Sequence, residues 1–485
     1  MTIFYTFMRP PPKLIEKLAY SMGGVANNYM ANVLPVLALP VFSVGLGVEA
    51  WKVGLALAIP RMWDAITDPI IGHLSDSCQS RWGRRRPFIL AGAIAVFATY
   101  SLLWLPSPSW GADAIFWWFM ATSFLYYTAT TVFAIPYIAI GYEIAADSVE
   151  RAKLMTFRSV IGSIFGLAMP WIYAMCFWNW EALTGDGSWG QRFTSLVAAH
   201  QGAKLEPPGY QIVGVALAAF MALCGVCAFF CKENPTAVAT QRNRFFHSFG
   251  LALRNRPFVF LTGALIFTMF GIFLVMPMAT YVNIYHIFDG DQSKAATLLA
   301  KVGTVQALAG IALVPVAGFL IARFGAARLM TVFLSITALS FAIKYWTYTP
   351  ENPWLQVIPL MMWAFSWAGT MLAFNVMLGD VCDLDDLNTG ERREGIYGAI
   401  NQFLTKLMIA LSTALSGVLL SWSGILPGAA TQSPEAVWWL RIEFSILPFL
   451  IALLGAAAFF FYPLSDKKAN EVRARLRERE PGGAA

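Results

Sequence analysis

The chain has 485 residues, of which 58% are hydrophobic, 15% aromatic and only 13% charged. Soluble globular chains carry about 25% charged residues, so this composition excludes a water-soluble domain and points to a polytopic membrane protein. The net charge of +6 is gathered in a few connecting segments, which is an orientation signal across a bilayer and not a nucleic-acid surface.

The first residues, "MTIFYTFMRPPPKLIEK", lack a short apolar run followed by a small-residue cleavage site, so no cleaved signal peptide is expected. A span needs about 20 largely apolar residues. Twelve such stretches follow, at roughly 18–46, 51–74, 88–106, 114–141, 155–178, 209–231, 258–287, 295–322, 329–348, 355–379, 395–424 and 437–462. Basic clusters follow spans 2, 4, 6, 8 and 10. They are Arg81 with Arg84–Arg86, Arg151 with Lys153, Lys232 with Arg242, Arg244, Arg254 and Arg256, Arg323 with Arg328, and Arg392 with Arg393; the tail is basic from Lys467. The positive-inside rule puts these loops and both termini in the cytoplasm, for a multi-pass protein of the plasma membrane or the bacterial inner membrane. The loop at about 179–208, with "TGDGSWG", is the longest on the other side and reads as a solvated loop.

Six cysteines do not form a disulfide framework; Cys224, Cys227 and Cys231 share one apolar helix and read as packing. No zinc spacing, phosphate-cradling loop or nucleophile elbow appears. The four histidines, His73, His200, His247 and His286, are scattered over loops and helix ends, so an enzyme is not expected and no cofactor is called for.

An internal echo divides the chain. After span 2 comes "DPIIGHLSDSCQSRWGRRRP" and after span 8 "VPVAGFLIARFGAARLM". Both carry P-x-x-G, then R-aromatic-G-x-x-R: Arg81-Trp82-Gly83 with Arg86, and Arg323-Phe324-Gly325 with Arg328. Matched loops six spans apart suggest two pseudo-symmetric six-helix bundles, an all-α membrane fold of the major facilitator type. The organisation is a first bundle over 1–231, a cytoplasmic linker over 232–257, a second bundle over 258–462 and a cytoplasmic tail over 463–485. Gly72 and Gly318 are expected to allow close helix approach. The basic loops are expected to gate, pairing with acidic helix ends such as Asp76 and Glu143 or with anionic lipids.

Charges inside an apolar span cost about 2.5–3.5 kcal/mol each on insertion scales, so they are candidate functional residues. Arg61, Asp64 and Asp68 lie on span 2, Arg158 on span 5 and Lys406 on span 11, whereas Lys301, Lys344 and Arg441 are near span ends and are expected to snorkel. Asp64 and Asp68, at i and i+4, project from one helix face. Two carboxylates so close repel unless a cation lies between them, which suits a site whose conformation depends on Na⁺, Li⁺ or H⁺ occupancy.

"RMWDAITDPIIGHLSDSCQSRWGRRRPF" resembles the second span and following loop of the glycoside–pentoside–hexuronide:cation symporters, the melibiose permease family. "IPYIAIGYEIAADSVERAKLMTFR" resembles its spans 4–5, and "GDVCDLDDLNTGERREGIYGAINQFLTK" its loop after span 10 and span 11. The resemblance implies cation-coupled symport of a sugar, glycoside or related polar solute by alternating access. It makes Asp64 and Asp68 the cation ligands (metal ligands if the ion is Na⁺), with Arg61 and Lys406 tuning their charge. Arg158 lines the substrate cavity, with Asn28, Tyr127 and Asn401 as further substrate-binding candidates and Asn27, Asn375 and Gln402 as spare hydrogen-bonding groups.

The sequence also departs from that pattern. Two sugar-binding aspartates of the family fall at Asn28 and Ala134, and a stacking tryptophan at Ile138. A related branch of sodium-dependent lysophospholipid transporters keeps the span-2 carboxylates, so an amphiphile is an alternative cargo and an uncoupled facilitator another. The expected partners are a small-molecule substrate, the coupling cation and the lipid bilayer, with no nucleic acid, for a monomer.

Overall fold

Each segment that crosses a bilayer must satisfy its own backbone N–H and C=O groups, so a chain this apolar is bound to be helical. The computed structural model describes residues 12–144, 148–180, 205, 209–233, 250, 252–390 and 394–479, among which there is no strand. The expectations for most of the 179–208 loop, for much of the 232–257 linker with Arg242 and Arg244, and for Arg392, Arg393, His200 and His247 lie outside the described residues.

Among the described residues, twelve long helices fall on the twelve expected stretches. They are α1 Leu14–Ala38, α2 Ala50–Ser77, α3 Arg86–Leu103, α4 Ala112–Ile144, α5 Ser148–Gly166 and α6 Gly209–Ala228, then α7 Arg256–Tyr281, α8 Gln292–Phe324, α9 Ala326–Thr347, α10 Val357–Thr389, α11 Glu394–Trp422 and α12 Pro434–Phe460. A thirteenth, α13 Asp466–Arg479, is polar and follows α12. Eleven are long and apolar enough to span a membrane by composition alone. The twelfth, α2, is long enough but carries Lys52, Arg61, Asp64, Asp68 and Asp76. Two helices differ from expectation: α5 starts at Ser148 and ends at Gly166, ahead of the expected 155–178, and α10 ends late. Helix α10 runs past residue 379 through the acidic segment to Gly390, whose φ of 72° supplies a left-handed cap.

The chain divides into two compact units, Met1–Thr240 with Asp291–Lys301 and Leu426–Ala430, and Gln241–Gly290 with Val302–Ile425 and Thr431–Ala485. The main division falls between residues 240 and 241. In the first unit, α3 packs along α4 and α6, α1 along α5 and α6, and α2 along α4. In the second, α9 packs along α10 and α12, and α7 along α11 and α12, so four of the five pairings recur six helices later, the packing of α2 along α4 being the exception. The first helix of each unit ends in a π-helical segment, Leu39–Gly45 after α1 and Val282–Ile287 after α7. Pro40 lies within the first and Pro277 shortly before the second, and a missing N–H there frees the ladder to slip register.

Lipid tails are as apolar as leucine, so packing and hydrogen bonds hold such bundles together. In the first unit Tyr137 is fully buried, stacked on Tyr20 at 4.8 Å and Phe133 at 5.6 Å between ring centroids. The close approach expected at Gly72 and Gly318 is not found there: an added Cβ would touch only Ile135 at 3.7 Å, or nothing within 4 Å. It occurs instead at Gly92, where a Cβ would lie 2.6 Å from the Phe133 backbone nitrogen. Lys344 is a second correction. It does not snorkel but is 6% exposed, its ammonium 4.8 Å from the centroids of both Phe341 and Phe444. Two ring faces take the place of water around that cation.

Candidate functional site

The two carboxylates of α2 meet α4 at one hydroxyl. Thr131 Oγ1 lies 3.2 Å from Asp64 Oδ1 and 3.4 Å from Asp68 Oδ1, within donor range of each. Asp64 is 8% exposed and Thr131 3%. The i, i+4 spacing brings both acids to one face, and the packing of α2 along α4 turns that face toward the threonine. This brings two carboxylates and a hydroxyl together, and oxygen donors of this kind are the type preferred by hard cations. Thr131 was missed by the sequence reading. Its signal was a pair of hydroxyls, Thr130 and Thr131, in the middle of an apolar span.

Tyr127, one turn before Thr131 on α4, is 3% exposed, with its hydroxyl buried. Arg61 and Asp64 are its charged neighbours. So Arg61, Asp64, Asp68, Tyr127 and Thr131 form one neighbourhood within the first unit.

Arg158 is held differently. Its Nη1 donates to Tyr20 Oη at 3.4 Å, and the guanidinium lies 5.9 Å from the ring centroids of both Tyr20 and Tyr137. Its stem crosses Gly24, where an added Cβ would come within 2.8 Å of Arg158 Cγ. Tyr137 Oη donates to the Tyr20 carbonyl at 2.8 Å. The arginine is therefore engaged by α1 and α4 as well as being a candidate for substrate contact. Asn28 is exposed, and its backbone carbonyl and Oδ1 each accept from Asn32 Nδ2 at 2.8 Å. At the positions where the resemblance expects sugar ligands, Ala134 is half-buried and Ile138 is 38% exposed.

In the second unit, Asn401 and Lys406 lie on α11, both half-buried. Asn401 Oδ1 is buried without a hydrogen bond to a described residue. Asn375 Nδ2 donates to the Met371 carbonyl at 2.8 Å, an in-helix bond.

The loops between the second and third helices form two charge clusters. Arg85 donates to Asp76 Oδ1 at 2.9 and 2.6 Å and to Glu143 Oε1 at 2.6 Å, and Arg84 reaches Glu143 Oε1 at 3.2 Å. The acidic partners are those expected, but the arginines are the two between the motif positions. Arg86 Nε donates to the Phe229 carbonyl at 2.6 Å, and Arg81 stacks over Trp82 at 5.1 Å. Glu233, after α6, accepts the backbone N–H groups of Arg84, Arg85 and Arg86 at 2.7–2.8 Å. It caps the start of α3 across Gly83, whose φ is 110°. In the second unit Asp466 does the same for α9, accepting from Ala327 at 3.0 Å and Arg328 at 3.4 Å across Gly325 with φ 92°. Arg323 stacks over Phe324 at 5.6 Å. Neither Glu233 nor Asp466 was read from the sequence, because each lies far along the chain from the loop it caps.

A family model for "MFS/sugar transport protein" matches residues 19–466. Among characterised and uncharacterised relatives, the chain is 26% identical to an uncharacterized symporter of Synechocystis, over 96% of each chain. It is 23% identical to the glucuronide carrier protein homolog of Escherichia coli, over 96% of this chain and 95% of the relative. It is also 23% identical to sodium-dependent lysophosphatidylcholine symporter 1-B of Danio rerio, over 96% and 89%. Among solved structures, an inward-facing bacterial homolog of the human lysosomal transporter Spinster superposes with a TM-score of 0.65 at 14% identity, covering 95% of this chain and 97% of that one.

Proposed function

This chain belongs to the MFS/sugar transport family of membrane transporters and is not an enzyme, and from that premise we propose that it performs cation-coupled symport of a sugar, glycoside or related polar organic solute by alternating access. Asp64 and Asp68 bind the coupling ion, Na⁺ or H⁺, with Thr131 as third ligand. The convergence of both α2 carboxylates on one α4 hydroxyl carries this reading. Two ionised acids at one point repel, and a bound cation relieves that repulsion. Occupancy then changes the electrostatic energy of α2 against α4, which is the coupling that a symporter needs. Arg61, beside Tyr127 and Asp64, tunes the same charge, and Lys406 is the second tuning residue. Arg158, Asn28, Tyr127 and Asn401 are the substrate-binding candidates.

The test is uptake into vesicles with an imposed Na⁺ or H⁺ gradient. Asp64→Asn and Asp68→Asn should abolish accumulation with membrane expression intact. Full gradient-driven uptake by either variant refutes the coupling. Thr131→Val should keep transport but raise the cation concentration for half-maximal uptake about tenfold, as loss of one charge-assisted contact of about 1.4 kcal/mol implies.

A second reading, coupled transport of an amphiphile such as a lysophospholipid, is favoured by the exposed apolar Ile138 and by Ala134 where polar ligands are expected. Competition of labelled glycoside uptake by lysophosphatidylcholine separates the two. Uptake indifferent to Na⁺, Li⁺ and pH indicates an uncoupled facilitator. We further propose a plasma-membrane or bacterial inner-membrane location with both termini cytoplasmic, and a monomer that needs no resident cofactor and no nucleic acid.

A further inference from the structure

Helices α1 and α6 run side by side, and a groove of about 650 Å³ lies along them on the first unit. Its floor is apolar: Ile15, Leu18 and Met22 from α1, Cys227 and Phe230 from the end of α6. Ile15 is 73% exposed, Phe230 64% and Leu18 40%. Apolar side chains facing lipid are ordinary in a membrane protein. Two features set this place apart, a concave shape and a pair of exposed lysines at one end.

Lys13 stands just before α1 and Lys232 just after α6, and both line the groove. The two helix ends are neighbours, since Cys231 Sγ lies 4.0 Å from the Glu16 carbonyl oxygen. Met22 and Cys227 lie further along the helices, so the groove runs from a basic end into an apolar trough. The lining also holds one acid, Glu16, which accepts the Lys13 backbone N–H at 3.3 Å, so the two lysines leave this end with a net positive charge. Lys232 also lines an adjoining cavity of about 740 Å³ in which Arg81, Arg84 and Arg86 outnumber Asp76 and Glu233, which adds to the positive charge at the same end.

We propose that this groove binds an anionic diacyl phospholipid from the leaflet at the Lys13 end of α1. The phosphate lies between Lys13 and Lys232, and an acyl chain runs over Leu18, Met22 and Phe230. Charge complementarity chooses an anionic headgroup, and the apolar trough chooses a lipid over a free phosphate. Long basic side chains that lay their stems on apolar surface and hold their heads at the interface suit this arrangement. The inference rests on the membrane-spanning fold alone, so its failure leaves the coupling role of Asp64 and Asp68 untouched.

The experiment is native mass spectrometry of the purified full chain in detergent, with equal amounts of dioleoyl phosphatidylglycerol and dioleoyl phosphatidylcholine added. Wild-type protein should retain one phosphatidylglycerol in preference to phosphatidylcholine. The Lys13→Gln/Lys232→Gln variant should bind phosphatidylglycerol about 25-fold more weakly, on the order of fivefold per lysine. Lys13→Arg/Lys232→Arg should bind as wild type does. Cys227→Trp, which fills the trough, should weaken binding with both lysines in place. Equal retention of the two lipids by wild type overturns the proposal. So does undiminished phosphatidylglycerol binding in the glutamine variant, or its loss in the arginine variant.

Discussion

The loop after α2 and the loop after α8 share a sequence motif and solve one problem with different materials. Each must turn the chain sharply and start a helix, α3 or α9, whose first N–H groups have no partner within the helix. Each uses a glycine of positive φ, Gly83 at 110° and Gly325 at 92°, and an acidic side chain from beyond the last helix of its unit. Glu233 accepts three backbone N–H groups and Asp466 two. The ion pairs beside these caps diverge further. In the first unit the loop's own Arg85 joins Asp76 to Glu143, with the Arg85 and Glu143 side chains 11% and 9% exposed. In the second, Asp380 on α10 pairs with Arg473, which comes from α13 and is 41% exposed. The repeat thus preserves the helix cap and leaves the source of the arginine free. A buried pair between the loop and the end of α4 locks the loop to its own bundle, whereas a pair supplied by the tail helix ties α13 to its bundle.

The largest expected effect separates the two ion pairs. Glu143→Gln removes the acid shared by Arg84 and Arg85 from a site with little water and leaves Arg85 paired with the half-exposed Asp76 alone, a loss of about 3 kcal/mol, the lower end for a broken buried pair. Asp380→Asn removes a partner from a half-exposed arginine and should cost about 1 kcal/mol. The apparent unfolding temperatures of the purified variants, measured side by side, check the order. Equal shifts break the contrast between a buried lock and a tail tie.

The caps come next. Glu233→Ala should destabilise by about 2 kcal/mol and Asp466→Ala by about 1 kcal/mol, following the number of N–H groups each leaves unpaired and the usual worth of a helix cap. Truncation after Leu464 removes Asp466 and Arg473 together. It should cost more than the Asp466→Ala/Asp380→Asn double variant, because it also removes the buried Ala469 and Val472 and leaves the buried Asp380 carboxylate without Arg473. A truncation that is much milder would mean α13 contributes neither.

The sequence made the spans legible because hydropathy and length decide them, and the ends agree within a few residues except at α5 and at the C-terminal end of α10. There the acidic run was read as loop, yet nothing in "GDVCDLDDLNT" breaks a helix before Gly390. The α2 carboxylates were legible because a charge in an apolar span is expensive, and their i, i+4 spacing gives a common face. Thr131 was not, because a threonine is cheap in a membrane helix and most threonines there bond their own backbone, as Thr128 does to the Phe124 carbonyl. Glu233 and Asp466 were hidden by sequence distance. Lys344 was misread because position near a span end suggests solvent, and only the packing shows Phe341 and Phe444 around it.

The smallest expected effect concerns the motif arginines themselves. Arg81 and Arg323 are both exposed, and each lies over the aromatic that follows it, Trp82 at 5.1 Å and Phe324 at 5.6 Å. An exposed cation–π contact is worth about 0.5–1 kcal/mol. Arg81→Gln and Arg323→Gln should therefore shift the unfolding temperature little, and by the same amount. This equality is the sharpest form of the comparison, since here the two loops share both residues and geometry. If Arg81→Gln slows transport while Arg323→Gln does not, with stability unchanged in both, then the first loop's arginine acts on the conformational cycle and the repeat is asymmetric in function even where it is symmetric in structure. Matching transport rates would confine the asymmetry to the ion pairs of Arg85 and Arg473.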